Sequence, residues 1–201
     1  MKDSLIIVAC FFLGLVLGIS GKLPGMFQNP DLSVYALYAL LFLVGFGLGS
    51  DERLPAMLKQ INARILLVPL GIVIGTLGGA GAVSVFLPDL GLREALAVVS
   101  GFGYYSLSSI LLTQIHSETL GVIALLSNVM REIATLVMAS VFVRCFGSFG
   151  PIAAGGATAM DTTLPVIVRY SGKEYAVVAV FSGIVLTTLA PVIIPLILKG
   201  F

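Results

Sequence analysis

A chain of 201 residues with 58% hydrophobic side chains, 10% charged ones and a mean hydropathy of +1.11 cannot cover a water-facing surface, since soluble domains carry about 25% charge. It reads as an all-α polytopic membrane protein embedded in the lipid bilayer. Its net charge of +1, from eleven basic residues scattered singly, excludes nucleic acid as a partner, because no Lys/Arg cluster exists to neutralise a run of phosphates.

A spanning helix needs about 20 apolar residues, and polar punctuation divides the chain into segments near that length. Residues 5–20 have the outline of a signal peptide but are taken as the first membrane helix. Residues 33–49 and 64–87 are the next two, separated by a stretch holding Asp51, Glu52, Arg53 and Lys59. Together, residues 1–90 form a leading three-helix scaffold unit. Residues 119–143 and 175–198 are two more full crossings, five in all. Cys10 and Cys145 match no metal or redox spacing and read as small packing residues.

Two further segments are of another kind. Residues 93–115 are interrupted by Gly101-Phe102-Gly103-Tyr104-Tyr105-Ser106, and residues 150–170 by Gly155-Gly156-Ala157-Thr158-Ala159-Met160-Asp161. Glycine costs about 1 kcal/mol in a helix interior relative to alanine, so these clusters mark unwound backbone. Such backbone is tolerated at membrane depth only when buried in protein or lining a wet cavity. Paired interruptions point to a transporter's binding site.

Each interrupted segment is either a broken crossing helix or a re-entrant hairpin. With two hairpins, one side of the membrane holds Lys2, Arg53, Lys59, Arg64, Arg144, Arg169 and Lys173 against Lys22, Arg93 and Lys199 on the other. With two crossings Arg144 changes side. The positive-inside rule therefore favours hairpins, with the N-terminus cytoplasmic and the C-terminus outside. Residues 91–201 then form a hairpin-helix-hairpin-helix transport unit whose halves are an inverted repeat, with both tips near the midplane.

Between the hairpins, Asn128, Arg131, Glu132 and Thr135 fall at i, i+3, i+4 and i+7 on one stripe of a helix. An ionised side chain at hydrocarbon depth costs roughly 2.5–3.5 kcal/mol even on the lenient insertion scale and is kept for function by default. The alternative is a structural Arg131–Glu132 ion pair. In the functional reading Glu132 holds a cation or proton, Asn128 orients it, and Arg131 offsets its charge or grips a carboxylate. Asp161 is either the cap of the helix begun by Thr162-Thr163-Leu164-Pro165 or a second carboxylate, able with Thr158 to hold sodium or an ammonium group. Ser106, Ser108 and Ser109 open a helix start suited to a carboxylate, and Tyr104 and Tyr105 offer aromatic faces to an ammonium. As bland readings, the serines are caps and the tyrosines packing.

No HExxH, GxSxG or paired catalytic aspartates occur, and the single His116 reads as an interfacial side chain, so the chain is not expected to be an enzyme. A channel would use Gly101 to Tyr104 as a carbonyl-lined filter, which requires a symmetric oligomer and leaves Glu132 unexplained.

Three motifs, GFGYYSLSSILLT at 101–113, NVMREIA at 128–134 and GGATAMDTTLPVI at 155–167, resemble in order and spacing the lysine exporter family LysO. LFLVGFGLG at 41–49 is the most similar part of the leading helices. The resemblance implies an inner-membrane exporter of L-lysine and its toxic analogues, driven by the proton gradient without a cofactor. It implies that Glu132 is the principal embedded acid, with Asp161 and the Gly-Tyr-Ser tip as site residues. Fuller-length members carry a further N-terminal helix block, so the resemblance also implies a homodimer or a small membrane subunit that completes the scaffold. A sodium-coupled carrier of another small amino acid or organic ion is the remaining transporter alternative.

Overall fold

The computed structural model describes residues 63–200, together with positions 16, 17, 35, 38, 39, 42, 43, 46 and 50. Met1–Phe42 and Leu43–Phe201 are two compact units. The predicted helices 5–20 and 33–49 lie largely outside the described residues. No strand occurs among the described residues, and the chain is helical wherever it is regular.

The elements are α1 (Ala63–Ser84), α2 (Leu92–Val99), α3 (Tyr105–Ile115), α4 (Glu118–Phe146), α5 (Gly150–Gly155), a 3-10 turn (Gly156–Met160), α6 (Leu164–Ser171), a short 3-10 turn (Lys173–Tyr175) and α7 (Ala176–Lys199). Among the described residues, three helical spans are long and apolar enough to cross a membrane: Ile65–Ser84, Glu118–Phe146 and Lys173–Lys199. They match three of the five predicted crossings. The first stops three residues before its predicted end, at turns between α1 and α2.

Both glycine clusters break their helices where predicted, and each broken segment folds back on itself. Glu94, in the first turn of α2, lies 3.3 Å from His116, the residue that ends α3. Ends that close, joined by a tight break at Ser100 to Tyr104, require antiparallel arms. In the second segment Phe149, just before α5, meets Tyr175, just after α6, ring edge to ring face at 5.2 Å and 85°. That foot is closed by an aromatic pair instead of a polar one.

α4 joins the two feet. Ser117 caps its start by accepting the Leu120 N–H at 3.2 Å, and Glu118 and Arg144 sit in its first and last turns, each charge matched to the helix dipole. Its 29 residues span roughly 43 Å at 1.5 Å per residue. The hairpins therefore start from opposite ends of α4 and converge on its middle. The buried stripe of α4 runs through Gly121, Ala124, Asn128, Thr135 and Ala139, while Val122, Leu126, Met130 and Val137 lie exposed on the far side.

The core gathers around the convergence. Phe102 and Ala157 from the two breaks pack with Ile72 of α1, Ile152 of α5, Ile167 of α6 and Ala179, Leu186 and Ala190 of α7. In lipid, helices associate through close packing and not through expulsion of water, which favours small residues at their contacts. α7 fits that rule, since Gly183 lets it lie against the Gly156–Met160 turn, with Ala179 and Ala190 buried on the same helix.

Candidate functional site

The two breaks touch through their backbones. Ala157 N–H donates to the Phe102 carbonyl at 2.8 Å, and the conformations that permit it are unusual. Gly103 has φ +103 and Gly156 φ +63, while Phe102 itself sits at φ 49, a region costly for a bulky residue. A Cβ on Gly156 would collide with the Phe102 carbonyl, and one on Gly103 would lie 2.8 Å from the Gly155 carbonyl. Only glycine allows this approach at either position.

Two side chains of α4 hold the crossing. Asn128, 2% exposed, accepts the Gly103 N–H on its Oδ1 at 2.7 Å. Its Nδ2 donates to the carbonyls of Ala124 (2.8 Å) and Val98 (3.2 Å) and to Ser108 Oγ (3.4 Å). Arg131 reaches the other hairpin, where Nε donates to the Ala154 carbonyl at 2.7 Å and Nη2 to that of Ala153 at 2.8 Å. These carbonyls belong to the last turns of α5, where a cation meets both unpaired acceptors and the negative end of the helix. Arg131 forms no ion pair with Glu132. The latter is half-buried on the flank of the stripe and bonds to no other described side chain.

Beside the crossing opens a cavity of about 300 Å³, lined by Leu43, Gly103, Tyr104, Tyr105, Ser106, Ala157, Thr158, Met160, Asp161, Thr162 and Thr187. This is the lower end of the range of small-molecule sites, roughly 300–1,000 Å³. Tyr104, Tyr105 and Ser106 are the cap and first residues of α3, a start that no side chain caps. Asp161 is exposed to the cavity. Its Oδ1 accepts the N–H of the adjacent Thr162 at 2.6 Å, so it does not cap the first turn of α6. The cap position belongs to Thr163, with Pro165 in the first turn as predicted. Thr158 donates to the Gly155 carbonyl at 3.0 Å and lies 3.4 Å from Thr163 Oγ1.

The predicted site residues therefore fall into three places. Gly103, Tyr104, Tyr105, Ser106, Thr158 and Asp161 line the cavity. Gly101, Ser108, Asn128, Arg131, Gly155 and Gly156 form the frame: Gly101 packs against Ser108 and Asn128, and Ser108 bonds back to the Tyr104 carbonyl at 2.9 Å. Glu132 stands in the middle of α4 outside the cavity lining. Among the described residues no cluster of His, Cys, Asp and Glu that could hold a metal ion occurs.

A family model described as lysine exporter LysO matches residues 8–198. The chain belongs to the LysO family. The Escherichia coli (strain K12) protein named lysine exporter LysO is 36% identical over 194 residues, covering 96% of this chain and 63% of the relative. A second relative, from Haemophilus influenzae (strain Rd), bears a lysine-exporter name and is 33% identical over 190 residues, 94% of each chain. The chain thus spans less than two thirds of the Escherichia coli protein. No solved structure matches it.

Within this LysO chain, sequence reasoning passed over Thr187. Its residue is 2% exposed, lines the cavity, and its hydroxyl has no hydrogen-bond partner among the described residues. A buried hydroxyl left unpaired costs about 1–3 kcal/mol. The only local signal was the Thr187-Thr188 pair inside an otherwise apolar helix.

Proposed function

We propose that this chain exports L-lysine across the cytoplasmic membrane by alternating access, coupled to the proton gradient. The observation that carries the proposal is the cavity at the meeting of two hairpin breaks, with a carboxylate, two tyrosines and an uncapped helix start on its walls. The names of both relatives support lysine as the cargo.

The chemistry suits a cationic amino acid. At the start of α3 the Tyr105 N–H bonds the Gly103 carbonyl at 3.0 Å, and the following N–H groups of the first turn, with the positive end of the helix dipole, favour a carboxylate. Asp161 offers a negative charge, and Tyr104 and Tyr105 offer ring faces, to an ammonium group. Arg131 balances Glu132 in charge, leaving Asp161 as the negative group for the substrate. Glu132, held near the middle of α4, is the proton carrier in this reading, and Asp161 with Thr158 is the place where sodium would bind if sodium replaced the proton.

The hairpins are re-entrant and enter from opposite faces, α4 crosses between them, and the two hairpin-helix pairs form an inverted repeat moving against the leading helices. The N-terminus is cytoplasmic and the C-terminus outside. The transporting species is a homodimer or a complex with a small membrane subunit. Counterflow of radiolabelled lysine into lysine-loaded proteoliposomes tests the function, at two pH values and with sodium removed. Saturable exchange is expected, and its absence from correctly inserted protein, or flux that rises linearly with concentration, defeats the reading. Cross-linking of the purified protein reports the number of chains.

A further inference from the structure

Hydroxyls in helices ordinarily satisfy themselves on the carbonyl four residues earlier. Thr188 does so on Ile184 at 2.8 Å, Thr135 on Arg131 at 2.8 Å, Ser108 on Tyr104 at 2.9 Å and Ser100 on Leu96 at 2.7 Å. Thr187, next to Thr188 on α7, does not, and neither do Ser182 of α7 and Ser171 of α6, but of these three only Thr187 lines the cavity. It is buried and unpaired among the described residues, and it lines the cavity shared with the start of α3 and with Asp161.

We infer that Thr187 is a substrate-binding residue whose hydroxyl donates to the α-carboxylate of the amino acid lodged at the start of α3. The inference rests on the exporter reading and adds α7 to a site whose other polar walls come from the two hairpins. Sorting the wall by polarity gives the assignment. The first turn of α3, eleven residues long and without a side-chain cap, supplies N–H donors, and the only group that needs donors on a basic amino acid is its carboxylate. Asp161 supplies acceptors for the ammonium groups. A threonine hydroxyl donates as well as accepts, and a carboxylate has more lone pairs than one helix start fills. α7 lies against the Gly156–Met160 turn through Gly183, one helical turn before Thr187, which ties the hydroxyl's position to the second hairpin.

The test is lysine counterflow with the full-length T187V and T187S proteins. T187V keeps the shape and removes the hydroxyl. It is expected to raise the KM for lysine about tenfold at little changed maximal rate, while T187S stays within about twofold of wild type. Because no bond is lost in the empty protein, the melting temperature of T187V without lysine is expected to equal or exceed that of wild type. 1,5-Diaminopentane, which is lysine without its carboxylate, is expected to act equally on wild type and T187V as a competitor. An unchanged lysine KM in T187V overturns the inference, as does an equal loss of potency for 1,5-diaminopentane, which would move the hydroxyl to the ammonium end. If T187V accumulates poorly, T187C carries the same expectation. Wild-type protein that exchanges no lysine brings down the exporter reading itself, an outcome distinct from normal wild-type exchange with an insensitive T187V.

Discussion

Asn128 and Arg131, one turn apart on α4, hold different hairpins: Asn128 receives the Gly103 N–H of the first, and Arg131 donates to the Ala153 and Ala154 carbonyls of the second. The middle of one helix thus sets the spacing of both breaks. If the crossing moves during transport, it moves together with α4, because separating the tips would strand the Gly103 N–H and the Ala157 N–H in a water-poor interior.

Asn128→Ala removes at once the acceptor for Gly103 and the two amide hydrogens shared among Ala124, Val98 and Ser108. A buried N–H left unmet costs about 1–3 kcal/mol, so a clear loss of thermal stability in detergent is expected, with transport at least tenfold below wild type in the protein that survives. Asn128→Asp keeps an acceptor but loses the donors to Ala124, Val98 and Ser108 and buries a charge, and it is expected to be no better. Melting curves read by size-exclusion chromatography, with counterflow on the folded fraction, check both.

Arg131→Lys keeps the charge but not the geometry. A guanidinium reaches two carbonyls from two nitrogens, whereas an ammonium is a single point on a flexible stem. Hydrogen bonds to charged groups contribute about 1.5–3 kcal/mol each, so the lysine variant should be destabilised by roughly one such bond and should transport poorly. Wild-type activity in R131K would show that the α5 carbonyls do not need the fork.

Gly156→Ala meets both a φ of +63 and the Phe102 carbonyl. With ψ −121 the residue lies outside the left-handed α region in a conformation that side-chain-bearing residues rarely adopt, at a strain of about 1–3 kcal/mol, and the collision displaces the Ala157 to Phe102 bond as well, so transport is expected to fall to a few per cent. Gly147 provides the control, having φ +72 but nothing within 4 Å of its added Cβ. Gly147→Ala therefore carries only the strain and should retain most of the activity. Equal activities in the two variants would show that the close approach of the tips is dispensable.

The breaks were legible in sequence because glycine clusters inside apolar segments leave few alternatives, and the shared stripe of Asn128, Arg131, Glu132 and Thr135 followed from helical spacing, although Glu132 on it stays outside the cavity lining. What those side chains bind was not legible. Asn128 bonds Gly103 from 25 positions away, a tertiary choice that no local pattern encodes, and Arg131 prefers helix-end carbonyls over its neighbour Glu132. The cap-like residues after Asp161 left it open between helix cap and ligand in the sequence; Thr163 takes the cap position, and the Asp161 carboxylate lines the cavity. Thr187 gave almost no signal, since a threonine in an apolar helix normally bonds its own turn, and only the rotamer reveals that it does not.

Glu132 and Asp161 occupy different surroundings, and their variants should separate accordingly. Asp161 lines the cavity, so Asp161→Asn removes the charge proposed to meet the ammonium and is expected to raise the KM for lysine tenfold or more in every transport mode. Glu132 lies outside the lining, on the flank of the helix that holds both tips. A proton carrier placed there is needed when the empty protein returns with its proton, and not when lysine exchanges for lysine. Glu132→Gln is therefore expected to abolish lysine efflux driven by an imposed pH gradient while leaving lysine-for-lysine counterflow at half or more of the wild-type rate. Loss of both modes with a raised KM would assign Glu132 to the substrate instead, and full gradient-driven efflux in the variant would remove it from the mechanism.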